Sequence, residues 1–157
     1  MAANDMVKRR SNYAESLDDF PTPRWATRAL VECVLGEDAL RGKSVLEPAC
    51  GRGHMAESLS EYGAVVTAQD VKCYGYPKHQ NLVDFSRVNA PARRHDWVIT
   101  NPPYKLAQAF YNEAMQSSTK GVALLMRVQW LIGKTRYYDI FSNAHIYYRG
   151  IAKGRFE

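Results

Sequence analysis

The sequence predicts an α/β fold: a mostly parallel, doubly wound sheet flanked by helices. Three observations predict it. Short apolar, β-branched segments alternate with segments whose apolar residues recur at helical spacing. The connections between the strand-like segments are too long for hairpins, so the strands run parallel with helices covering the sheet. The two most unusual loops, 48–53 and 101–104, each follow a strand-like segment directly, which is where such sheets bind ligands.

Taken in order, Met1 to Asp19 is polar and charged and is expected to be a flexible arm, leaving 20–157 as one domain. Phe20-Pro21-Thr22-Pro23 reads as a stiff turn, with the Thr22 hydroxyl capping a helix whose first turn holds Pro23. Trp25, Ala29, Leu30 and Val34 give that helix its apolar side, and Gly36 stops it. Ser44 to Glu47 is a short buried strand, followed by the loop Pro48 to Gly53 and a helix from His54 to Tyr62. Ala64 to Gln69 is a second strand closed by Asp70, and residues 71 to 83 read as loop. Asp96 to Thr100 is a third strand running into Asn101-Pro102-Pro103-Tyr104. Lys105 to Ser118 is an amphipathic helix, Val122 to Val128 a fourth strand, and Ile146-Tyr147-Tyr148 a weaker one. The C-terminal strands of the sheet are therefore expected to be incomplete.

Bulk properties narrow the function classes. At 157 residues, 46% hydrophobic and 24% charged, the chain can bury a core without disulfides or metals. The N-terminal residues have no apolar core of a signal peptide, and no apolar run is long enough to span a bilayer. The three cysteines, Cys33, Cys50 and Cys73, form no close pairs, which suits reduced thiols in the cytoplasm. The scattered histidines show no metal-ligand spacing, so no metal is expected. The net charge of +5 favours an anionic partner such as nucleic acid. From Lys120 onward stand Lys120, Arg127, Lys134, Arg136, Arg149, Lys153 and Arg155 against only Asp139 and Glu157. That third of the chain is either the anion-facing region or a solvated basic surface.

Two loops carry chemistry. In Glu47-Pro48-Ala49-Cys50-Gly51-Arg52-Gly53 the glycines allow a sharp strand-to-helix turn and a close approach of backbone to ligand. From Gly51 the pattern Gly-x-Gly-x-x-Ala also fits a dinucleotide fingerprint. Asp70, at the end of the next strand, can accept hydrogen bonds from a ribose diol, with Val71 beside it. Glu47 decides between ligands: it would repel a pyrophosphate and welcome an ammonium. S-adenosylmethionine, a phosphate-free sulfonium with an ammonium group, suits the loop better than NAD. Asp84-Phe85 could bind and pack on an adenine, or equally be a turn with a core phenylalanine.

In Asn101-Pro102-Pro103-Tyr104 the prolines cannot extend a strand and hold their neighbours in fixed directions. An exocyclic amine on a base or amide is a poor nucleophile because its lone pair is delocalised. Acceptors from the Asn101 side chain and the Pro102 carbonyl can localise that lone pair, and positioning supplies much of the rate. Tyr104 can stack on a flat substrate.

At these residues the chain resembles the class I S-adenosylmethionine-dependent methyltransferases, with their Rossmann-like fold. More narrowly it resembles small phage and prophage adenine-N6 DNA methyltransferases, from about Asp18 to Arg149. The resemblance implies that Phe20, Thr22 and Pro23 contact the methionine end of the cofactor. It implies that Glu47, Pro48, Ala49, Cys50, Gly51 and Gly53 form the glycine loop, and that Asp70 and Val71 bind the ribose side. It places Asp84 and Phe85 at the adenine, makes Asn101 to Tyr104 catalytic, and gives Asn101 a cofactor contact as well. Tyr104, Lys105, Lys134 and Arg136 are expected to bind substrate. The implied activity is methylation of adenine N6 in DNA. Alternatives are methylation of an RNA base or a protein glutamine, and an inactive remnant serving as an accessory cofactor- or nucleic-acid-binding subunit. No target-recognition segment is legible, which points to low specificity or a protein partner that supplies it.

Overall fold

The computed structural model describes residues 20–88 and 94–142. The expected arm, the weak strand 146–148 and the bases Arg149, Lys153 and Arg155 lie outside them. Five strands form one parallel sheet: β1 (Ser44–Glu47), β2 (Val65–Asp70), β3 (Asn81–Leu82), β4 (His95–Thr100) and β5 (Ser118–Leu124), in the order β3-β2-β1-β4-β5. The chain winds outward from β1 in one direction and from β4 in the other. Their carboxyl ends therefore flank the switch point of the sheet.

Strand alternation sorts the core into two layers. Val45 and Ile99 face one side, where they pack with Val31, Leu40, Met55, Leu59 and Ala64. Leu46 and Val98 face the other, against Phe85, Phe110 and Ala114. The first layer is covered by α1 (Arg24–Leu30) and α2 (His54–Glu61), the second by α3 (Ala107–Ser117). The two helices on one face are joined on their outer side by ion pairs from Arg24 and Arg28 to Glu57 and Glu61.

Three sequence expectations are corrected. α1 begins at Arg24 with Pro23 at its N-cap and no side-chain cap, because the Thr22 hydroxyl is engaged elsewhere. Beyond Leu30 the helical path continues as the π-helical turn Val31–Leu35 and stops at Gly36, as the sequence predicts. The presumed loop 71–83 contains β3, which pairs with Gln69 and Asp70. The fourth major strand runs over Ser118–Leu124 rather than 122–128 and starts directly at the end of α3. Its first residues are polar because they anchor to the neighbouring strand: Thr119 Oγ1 donates to the His95 carbonyl at 3.2 Å, and Lys120 pairs with Asp96 at 3.4 Å. The apolar run that drew attention to 125–128 has already left the sheet, its last tie being Leu125 N–H to the Thr100 carbonyl at 3.0 Å.

Candidate functional site

The loop after β1 is held to β2 by its backbone. Cys50 N–H donates to the Gln69 carbonyl at 2.9 Å, and Gly51 N–H donates to Asp70 Oδ2 at 2.8 Å. The other Asp70 oxygen accepts from Lys72 N–H at 3.3 Å. A carboxylate offers about four lone-pair positions, so two acceptor positions remain for a ligand hydroxyl. Asp70 is thus first a clamp that fixes the loop. Gly53, at the N-cap of α2, has φ 82° and lies under the Tyr76 ring; a Cβ there would come within 2.2 Å of the ring. Its lack of a side chain answers to that packing.

Around this loop, Phe20, Thr22, Glu47, Pro48, Ala49, Cys50, Gly51, Asp70, Val71, Asp84, Phe85, Asn101 and Pro103 line one cavity of about 220 Å³. Pro23, Gly53, Pro102, Tyr104, Lys105, Lys134 and Arg136 are outside its lining. Arg136 is occupied with its own turn, donating to the Ile132 carbonyl at 2.6 Å and lying over Trp130. The lining also takes in Pro21 and Arg52, which belong to the two motifs, and His54, Met55, Tyr74, Val83, Leu106 and Phe110, which the sequence does not mark. Leu106 and Phe110 lie four residues apart on the amphipathic segment Lys105 to Ser118, a spacing that could have marked a cavity wall. Tyr74 sits in an irregular loop and had no such signal.

The cavity is acidic at its base. Glu47 is buried, and its Oε2 has no hydrogen-bond partner among the described residues. Burial, then the Asp70 carboxylate, hold Glu47 well above the usual carboxylate range, against a backbone N–H from Ala56. Cys50 beside it has its thiol pushed up to about 12 by burial and by the charges of Glu47 and Asp70. It is therefore no nucleophile. Asp84 caps the turn Phe85–Arg87, accepting from Ser86 N–H at 3.2 Å and from Ser86 Oγ at 2.6 Å. Phe85 meets Phe110 edge-on at 5.3 Å between ring centres. The pair forms a turn with a core phenylalanine, and both residues lie on the cavity wall.

At the mouth, the segment before α1 meets the loop after β4. Asn101 Nδ2 donates to Thr22 Oγ1 at 3.1 Å and to the Phe20 carbonyl at 3.5 Å. A carbonyl only accepts, so the amide nitrogen faces it, and Asn101 Oδ1 accepts nothing from the described residues. The Phe20 and Tyr104 rings lie 6.4 Å apart at 36°.

No family model matches the sequence, and no curated protein matches it. Solved structures do. A candidate RNA methyltransferase from Pyrococcus horikoshii superposes with TM-score 0.62 at 21% identity, over 80% of this chain and 70% of that one. The fold is that of the Rossmann-like methyltransferases. A modification subunit of a candidate type I restriction enzyme from Vibrio vulnificus shares this methyltransferase fold, with TM-score 0.58 at 18% identity over 83% of this chain. So does the T. thermophilus 16S rRNA guanosine-N2 methyltransferase, solved with AdoMet and guanosine, with TM-score 0.53 at 20% identity over 71% of this chain. The chain spans 39% and 36% of the lengths of these last two. In the methyltransferase fold described here, no helix among the described residues is long and apolar enough to cross a membrane.

Proposed function

We propose that this chain transfers a methyl group from S-adenosylmethionine to the exocyclic N6 amine of adenine in DNA. The cofactor fit rests on the cavity's acids. Glu47 brings a buried oxygen without a partner, which a ligand ammonium would satisfy. Asp70 keeps acceptor capacity for a ribose diol, and Asp84 with Phe85 offers an acid and a ring on the same wall. A pyrophosphate would meet the carboxylates of Glu47, Asp70 and Asp84 on the cavity wall, against the one guanidinium of Arg52. The cofactor, when bound, supplies an electrophilic methyl group.

The observation that carries the amine reading is the orientation of Asn101. Thr22 and Phe20 occupy its nitrogen, so the chain offers an amine an acceptor oxygen on a rigid Pro-Pro loop. Accepting from an amine hydrogen localises the lone pair, and a preorganised acceptor costs no rearrangement at the moment of reaction. Tyr104, next to the cavity and beside Phe20, provides a flat face for the base.

The test is to incubate purified protein with labelled cofactor and DNA, RNA or protein from a cell extract, digest the products and identify the methylated residue by mass. N6-methyladenosine from DNA is the expected product. Label confined to RNA would support the second reading, a base of RNA, which the names of the P. horikoshii and T. thermophilus neighbours favour. Asn101→Ala is expected to lower kcat at least about a hundredfold while cofactor still binds; equal losses in both would remove the amine-acceptor role.

A further inference from the structure

Arg127 follows β5 at the carboxyl edge of the sheet and heads the short turn Val128–Leu131, whose Trp130 N–H bonds the Arg127 carbonyl at 2.9 Å. Its guanidinium carbon lies 4.0 Å from the centre of the Tyr104 ring. At that distance the planar cation is stacked on the ring face, since a side-on approach would leave it farther out. Arg24, Arg28, Arg41 and Arg87 use their guanidinium groups on Glu or Asp side chains. Arg127 is exposed, meets no carboxylate among the described residues and makes no side-chain hydrogen bond there. Lys105, the next residue after Tyr104, is exposed as well.

We infer that Arg127, held flat by Tyr104, binds a backbone phosphate of the nucleic-acid strand whose base is methylated. A guanidinium stacked by one face keeps its N–H donors around its rim. Those donors form the fork that matches two oxygens of a phosphate. Tyr104 thereby has two jobs, a face for the base and a support for the anchor. The charge stands over Tyr104, which is three residues from Asn101 along the rigid loop. The strand is gripped next to its reactive base, where misplacement costs rate most. A neutral glutamine amide has no use for such an anchor, so the inference deepens the nucleic-acid reading above and rests on it.

Binding of a short fluorescent single-stranded oligonucleotide, in DNA and RNA forms, is measured against salt concentration with S-adenosylhomocysteine present. Arg127→Ala is expected to weaken binding by a similar factor for every sequence and to reduce the salt slope by about one. An abasic strand should show the same loss. Arg127→Lys should keep the slope, because it keeps the charge, while lowering methyl transfer, because an ammonium does not lie flat on Tyr104. An unchanged slope in Arg127→Ala, or a loss that disappears on the abasic strand, would overturn the inference and leave the methyltransferase reading standing. A reduced slope without methyl transfer to DNA or RNA would sink that reading and keep the anchor. If the unaltered protein binds neither polymer, both fall.

Discussion

Thr22 shows how one hydroxyl can be claimed by two roles. Its place before Pro23 suits a helix cap, yet the hydroxyl bonds Asn101 at 3.1 Å. Sequence alone could not show this, because the partner lies 79 residues away. Thr22→Val removes about 1 kcal/mol of orienting interaction, so kcat should fall about fivefold. Thr22→Ser should restore it, and kinetics on the three proteins at saturating cofactor check this. Glu47 gives a pH signature. Its folded-state pKa is raised, so protonation stabilises the folded chain fully below glutamate's ordinary value of about 4.3. That contribution is lost as pH rises through the raised pKa. A cationic ligand favours the carboxylate, so cofactor binding should release a proton and tighten as pH rises towards the raised pKa. Calorimetry in buffers of different ionisation heat reads this release. It should vanish in Glu47→Gln, and its absence in the unaltered protein would exclude an ammonium beside Glu47.

At the scale of elements, the strands at the centre of the sheet were legible and the edges were not. Val45-Leu46 in β1 and Trp97-Val98-Ile99 in β4 read as short continuous apolar runs at the centre of the sheet. β5 is exposed enough to carry Thr119 and Lys120, and its pairing is a backbone matter that hydrophobicity does not record. β3 has two exposed residues, too few for any periodicity. The candidate site was legible for a related reason: its acids and glycines sit at the carboxyl ends of the clearest strands. Its apolar wall from α3 was hidden among core residues of the same type. The turn from β1 to α2 also carries a prediction. Gly53→Ala would combine a left-handed backbone with a collision against Tyr76, at a cost on the order of 3 kcal/mol. Urea unfolding checks it. A Tyr76→Ala background should recover the collision part and leave the backbone part, whereas simple additivity would mean that Tyr76 is not the obstacle.

For the molecule as a whole, the sheet order places the switch point between β1 and β4, and the cavity opens at their carboxyl ends. The fold was predictable because alternation and connection length are global patterns; the substrate was not, because the exposed groups that meet it leave no periodic trace. The buried Cys50 makes the motions of this whole assembly readable. Cys33 and Cys73 are exposed, whereas the Cys50 thiol is covered and held as the unreactive acid. In a chain with Cys33→Ser and Cys73→Ser, alkylation therefore waits on openings of the β1–α2 loop and of the cavity that Cys50 lines. Mass spectrometry against time becomes a clock for those openings. S-adenosylhomocysteine should slow it in step with its saturation, and labelling as fast as that of a free thiol would show that the loop is not closed.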